Sequence, residues 1–368
     1  STPQRVNAHP DFDGRGVQIA FVDSGFSNHP DLTGRIALHV DASTRHIIEE
    51  SHITTYTDMS WHGQMTSVIA AGDGRMSNGQ FRGIASGAEL VLIKVSTPSF
   101  RIKEPDILRG LRWIDEARDR HNIRVVNVSV GGDFHTHDPN NPLHQIVKRL
   151  TESGITVVIS SGNSGRDQLL PPASAPEAIT VGGYQDHNTH NENQWTLYRH
   201  NHETVYDGTR KPEILAPAEW IASPLLPDSE TEAEIGYLAR LLTTKSKSEF
   251  YWIVAHGQKA LHLTDEEIKH INQALYDKLQ GRIFHHKVVN ADYQYVDGTS
   301  VAAPIVTSVI AQMLQANPSL TPADIRRILL ETAKRIDHFP DYLQGAGVLR
   351  AYDAVEMALA MRQMMSNR

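Results

Sequence analysis

The sequence predicts an α/β fold built on a parallel sheet with helices on both faces. Three observations predict it. Short apolar runs of strand length alternate along the chain with longer segments of helical period. Several of those runs stop at Asp, Ser or Gly, and the space beyond the carboxyl ends of parallel strands is where α/β folds keep their chemistry. The 368 residues, 40% of them hydrophobic, suffice for one large domain or two smaller ones with a sizeable core.

Taken in order, Ser1 to Arg15 is polar and reads as an arm on the surface. Gly16 to Val22 is a buried strand ending at Asp23-Ser24-Gly25, where Asp23 is either a functional acid or a turn former before Gly. Residues 36–60 hold turn and strand material. His62 opens a helix of small and apolar residues closed by Gly72. Asp73 to Phe81 is a Gly/Asn-rich loop, and Glu89 to Val95 the next strand. Glu104 to Arg120 is an amphipathic helix with Ile107, Leu108, Leu111, Ile114 and Ala117 at helical spacing. Arg124 to Val130 is a strand running into Gly131-Gly132. Pro142 to Ser153 is a helix, Ile155 to Ser160 a strand ending in Ser161-Gly162-Asn163, and Ala178 to Gly183 a short strand. Glu213 to Pro217 is one more strand or turn.

Residues 224–290 differ in character: they are rich in charge and in helix-like stretches, and read as a helical subdomain inserted into a domain made of 1–223 and 291–368. Within the insertion, Thr264 to Glu267 is a capping-box pattern leading into the stripe Ile268, Ile271, Leu275 and Leu279. The main domain resumes with Gly298-Thr299-Ser300 and the apolar run Val301 to Leu314, a buried helix. Thr321-Pro322 starts a helix to about Lys334, and Tyr352 to about Met365 forms the last one.

Composition narrows the function classes. Against 35 basic residues stand 43 acidic ones, a net charge of −8 that disfavours a nucleic-acid partner. No apolar run approaches the roughly 18 residues of a membrane span. Cysteine is absent, which removes disulfides and thiol chemistry. No Gly-x-Gly-x-x-Gly follows the first strand, so a dinucleotide site is disfavoured. The 20 His are mostly expected at the surface or in hydrogen bonds, and no metal ligands are assigned.

The chemistry gathers around Ser300. It sits at a helix N-terminus, where free N–H groups and the dipole favour negative charge. A serine hydroxyl attacks only when a base takes its proton, and by itself a Gly-Thr-Ser is ordinarily a helix cap. His62 and Asp23 supply candidates for the base and the acid that orients it, 39 residues apart. Asp, His, Ser is the chain order known from subtilisin.

Four blocks then carry a resemblance: Val22-Asp23-Ser24-Gly25 with His29-Pro30-Asp31-Leu32; His62-Gly63; Gly298-Thr299-Ser300-Val301-Ala302-Ala303-Pro304; and Ser161-Gly162-Asn163. They resemble the signature segments and oxyanion turn of the subtilases, the subtilisin-like serine peptidases, and Asn127 to Gly132 resembles their substrate-binding strand. The resemblance covers roughly 16–183 and 295–349. It implies a seven-stranded parallel sheet and endopeptidase activity through an acyl-enzyme. The implied roles are Ser300 nucleophile, His62 general base, Asp23 its orienting acid, and Asn163 oxyanion donor beside the Ser300 N–H. Ser129, Val130 and Gly131, with Ser161 and Gly162, are implied to bind extended polypeptide substrate as an added strand. Ser164 and Gly165 carry no charge, which implies a neutral primary pocket.

The chain departs from the family after His62, reading Gly-Gln-Met-Thr-Ser-Val where Gly-Thr-x-Val-Ala-Gly is usual. No cofactor is required by this chemistry. Asp31, Asp73 and Asn78 could offer oxygens to a structural calcium, against the plainer reading of a solvated loop. Without a visible signal sequence a cytoplasmic enzyme is expected, with a secreted one the alternative if a leader and propeptide were removed. A catalytically silent peptide-binding module of the same fold is the competing function.

Overall fold

A computed structural model describes residues 1–97, 99 and 101–366. The chain forms two compact units, one of residues 1–221 with 297–368 and one of 222–296.

The larger unit is organised by seven parallel strands: β1 (Gln18–Asp23), β2 (Ile36–Asp41), β3 (Glu89–Lys94), β4 (Ile123–Val128), β5 (Thr156–Ser160), β6 (Ile179–Gln185) and β7 (Ile214–Pro217). Their order is β7-β6-β5-β4-β1-β3-β2, with two antiparallel additions: Ile48–Glu50 beside β2 and Thr196–Leu197 beside β6. The seven-stranded expectation is met. β1 lies between β3 and β4, and its residues 19–22 are fully buried, as a strand covered on both faces must be. Its register sets Asp23 opposite Lys94, at the carboxyl end of the sheet.

Alternate residues of the strands feed two cores. Ala20, Val22, Ile93, Val126 and Val128 share one with α2 (Glu104–Ala117) and α3 (Pro142–Glu152). α4 (Thr299–Ala316) packs on β4 to β7 and against α1 (Ser60–Ala71) and the C-terminal helix Ala351–Ser366. α4 is 18 residues long, with mean hydropathy 1.3. The expectation that no apolar run reaches that length is therefore corrected. The helix is 89% buried within the protein, which makes it the central core helix.

Other boundaries shift for local reasons. α1 starts at Ser60 rather than at His62, because the Ser60 hydroxyl accepts from the Thr57 N–H at 3.1 Å and closes the turn earlier. β4 stops at Val128, so Ser129 and Val130 lie beyond the strand. α2 stops at Ala117, three residues short of Arg120.

The smaller unit pairs Ile221–Pro224 with Tyr293–Val296 and carries helices at Glu230–Thr243, Lys247–His256, Asp265–Lys269 and Gln273–His285. The capping box at Thr264 forms, with Glu267 N–H on the threonine side chain. The stripe that follows is two helices, because the Asn272 side chain accepts from Leu275 N–H and starts a new one. Leu275, Leu279 and Ile283 join Leu238, Ile253 and Leu261 in a separate core, to which Ile268 and Ile271 add partly buried surface.

Candidate active site

Asp23 closes β1 with its side chain fully buried. Three donors hold its carboxylate: the Ser24 N–H at 2.7 Å and His62 Nδ1 at 2.6 Å on Oδ1, and the Thr66 hydroxyl at 3.1 Å on Oδ2. His62 and Thr66 lie one turn apart on α1, hence on one face. That face reaches Asp23 only because position 63 is glycine. A Cβ there would fall 2.1 Å from the Gly25 carbonyl oxygen and 3.0 Å from the Asp23 Cβ.

Burial pulls the His62 imidazole down, but the Asp23 charge and hydrogen bond together outweigh it, so His62 titrates above its ordinary 6.5. With Nδ1 engaged by Asp23, Nε2 is the ring nitrogen left available to another partner, on a side chain that remains 31% exposed.

Ser300 is the second residue of α4. Gly298 enters that helix at φ +147°, a conformation L side chains rarely adopt, and its N–H donates to the Ala218 carbonyl at 2.8 Å. Pro304 has no N–H for the Ser300 carbonyl. The Ser129 hydroxyl donates to that carbonyl instead, at 3.3 Å, while Ser300 Oγ donates to the Ser129 carbonyl at 3.5 Å. The serine thus rests on the 129 segment and makes no hydrogen bond to His62.

Asn163 is exposed, yet its amide is oriented: Oδ1 accepts from the Thr299 N–H at 2.8 Å and from Thr299 Oγ1 at 2.9 Å. With the oxygen held by two donors, the NH₂ end is the one left to donate. Thr299, fully buried, also accepts from the Gly162 N–H at 3.0 Å, so the two segments lock together beside Ser300. Asn201 holds the far side of the turn, accepting from the Ser164 N–H and hydroxyl at 2.9 and 2.8 Å. Ser161 donates its N–H to the Val181 carbonyl at 3.0 Å. Among the described residues, Val130 and Gly131 make no backbone hydrogen bond, so their edge stays open, whereas Gly132 is tied to the Pro171 carbonyl at 2.6 Å.

The subtilase family profile matches residues 14–351. The chain belongs to the subtilase family. This subtilase is 30% identical over 352 residues to serine protease AprX of Bacillus subtilis, a match spanning 93% of this chain and 66% of AprX. It is 31% identical to Subtilisin BL of Lederbergia lenta over 179 residues, 48% of this chain and 58% of that protein. The subtilase therefore spans somewhat under two thirds of the length of these relatives. Among solved structures it resembles fervidolysin of Fervidobacterium pennivorans, with a TM-score of 0.66 at 20% identity, covering 96% of this chain and 45% of that one.

The residues considered for calcium do not fit a cation. Asp73 is taken up by Arg75, whose guanidinium donates to Oδ2 at 2.9 and 2.6 Å and to Oδ1 at 3.2 Å, and although partial burial works the other way the contact draws Asp73 below its ordinary range. Asp31 Oδ1 accepts the Met76 N–H at 2.9 Å, and Asn78 is exposed. The Arg75 guanidinium already neutralises the Asp73 carboxylate, which leaves it a poorer ligand for a cation.

Sequence reasoning missed the supporting residues. Thr66 was legible as the residue one turn beyond His62. Thr299 stood inside the serine block, where only its neighbour drew attention. Asn201 acts on a turn 37 residues earlier, and no local pattern marks it.

Proposed function

We propose that this subtilase is a serine endopeptidase acting through Asp23, His62 and Ser300, with Asn163 in the oxyanion hole. Ser300 Oγ attacks the scissile carbonyl carbon as His62 Nε2 takes its proton. The carbonyl π electrons move to oxygen, and the Asn163 amide and Ser300 N–H receive the oxyanion. Collapse of that intermediate expels the amine, which takes the proton from His62, and leaves an acyl-serine. Water repeats the sequence to release the acid. Asp23 keeps Nε2 directed to the reaction and stabilises the imidazolium.

The observation that carries the reading is the 2.6 Å His62–Asp23 contact at the end of β1, on the same packed pair of helices, α1 and α4, that brings in Ser300. Leaving the 3.5 Å contact with Ser129 costs Ser300 little, because that hydrogen bond is at the limit of length. The open edge at Val130 and Gly131 supports binding of an extended polypeptide by main-chain pairing, with little demand on sequence. The uncharged Ser164 and Gly165 favour a neutral or apolar side chain in the primary pocket.

Digestion of an unfolded polypeptide, with the new termini read by mass spectrometry, tests the proposal. Internal cleavage after uncharged residues, abolished in Ser300→Ala and His62→Ala, is expected. Saturable peptide binding by the unaltered chain, with no new termini, would instead mark a silent binding module.

A further inference from the structure

Three side chains outside the triad converge on a single oxygen. His135 Nε2 lies 2.6 Å and His137 Nε2 2.5 Å from Oε1 of Glu203. The Glu203 side chain is only 7% exposed, and its other oxygen is held by the Leu169 N–H at 2.9 Å. That bond fixes the plane of the carboxylate and leaves Oε1 as its outward atom. The imidazole rings meet edge to face, 4.9 Å between centroids. His135 and His137 stand two apart in a stretch with neither helix nor strand, and both rings reach the same oxygen.

We propose that His135, His137 and Glu203 bind a divalent first-row transition cation of the zinc class. The ligand atoms of the three residues all lie within 4.8 Å of one another, and small outward movements would admit a cation bonded to each at about 2.0–2.2 Å. Each ring would present its Nε2 lone pair by carrying its proton on Nδ1, so neutral histidines bind without net proton loss. Two imidazole nitrogens and one carboxylate oxygen suit zinc, nickel or copper and not calcium or magnesium, which prefer oxygen. Three protein ligands leave a fourth position for water.

The plain competing reading is two N–H donors sharing one carboxylate oxygen. It predicts the same resting contacts but no stoichiometric metal. The site also has a place in the fold. His135 follows the 129–132 segment, Glu203 holds Leu169, and Asn201 two residues earlier holds the 162–166 turn. On the peptidase reading above, a bound cation would tie together the two segments beside the primary pocket.

Cobalt titration tests the site without turnover, so its failure is separate from failure of the peptidase reading. The full chain carrying Ser300→Ala, which prevents self-cleavage, is titrated with Co²⁺ and followed in the visible. One equivalent is expected to develop the ligand-field bands of a four-coordinate N/O site, and Zn²⁺ to displace it. His137→Ala removes a ring on a half-exposed side chain, so the protein stays folded. It should weaken binding by at least the roughly 10–100-fold that loss of a mere outer-shell partner costs. His46→Ala, at an exposed histidine elsewhere, should change nothing. No saturable binding, or equal binding in the His135→Ala, His137→Ala double variant, would overturn the proposal.

Discussion

Thr299→Val separates positioning of the oxyanion donor from the donor itself. The substitution keeps the backbone N–H that donates to Asn163 Oδ1 at 2.8 Å and removes the hydroxyl that donates to the same atom at 2.9 Å. Losing one neutral hydrogen bond of this kind is worth about 1 kcal/mol, or about fivefold in rate if all of it appears in the transition state. The upper bound is complete loss of the Asn163 contribution. For an oxyanion asparagine in subtilisin, a relative, that loss is about 10²–10³ in kcat. A fall in kcat of about 5- to 100-fold with KM nearly constant is therefore expected for Thr299→Val. The Gly162 N–H loses its acceptor as well, at a cost of about 1–3 kcal/mol and a few degrees of Tm. Steady-state kinetics on a chromogenic peptide, with Tm measured alongside, provide the readout. Thr299→Ser retains the oxygen and should recover most of the rate. If Thr299→Val leaves kcat unchanged while Asn163→Ala abolishes it, the threonine does not orient the amide.

Three further outcomes follow from other contacts. Because Asp23 raises His62, the acidic limb of kcat/KM should lie above pH 6.5, and Asp23→Asn should move it to lower pH as well as reduce the rate. The linked stability has the matching sign: it is fully present below 6.5 and declines as pH rises through the elevated value, so pH-dependent Tm of wild type against Asp23→Asn should converge on the alkaline side. Gly63→Ala should push α1 away from the Gly25 carbonyl, costing about 1–3 kcal/mol or more and most of the activity. A stable, fully active Gly63→Ala would show that the close approach is not needed. Asp73→Asn should barely change stability, because the Arg75 pair it removes is solvent-screened, and should leave any response of Tm to calcium unchanged. A calcium-dependent rise in Tm that vanishes in this variant would restore the loop as a cation site.

The parallel sheet was legible because strands buried on both faces read as unbroken apolar runs, and β1, β3 and β5 are of that kind. Asp23, His62, Asn163 and Ser300 were legible as blocks, since each chemistry-bearing residue sits beside the glycine or small residues that let it approach its partners. What stayed hidden depends on contacts distant in sequence. The orientation of Asn163 comes from Thr299, 136 residues away, and the Glu203 that gathers His135 and His137 lies 66 residues beyond the second of them. The run through Ile268 to Leu279 read as one stripe because helical period is preserved across the break; the Asn272 cap that divides it is a local hydrogen bond which periodicity does not register. α4 was legible as a buried helix over Val301 to Leu314, but its match to a span in length and mean hydropathy was not, because Thr307, Ser308, Gln312 and Gln315 interrupt the apolar run.

On the proposed mechanism one hydroxyl, that of Ser300, is activated by one imidazole, that of His62. Reaction with a fluorophosphonate, followed by peptide mapping, measures this directly. A single adduct on Ser300 is predicted, forming faster as His62 loses its proton and absent from His62→Ala and Ser300→Ala. No adduct on the folded, unaltered chain, or one that persists on Ser300 at the same rate without His62, would show that His62 does not activate Ser300.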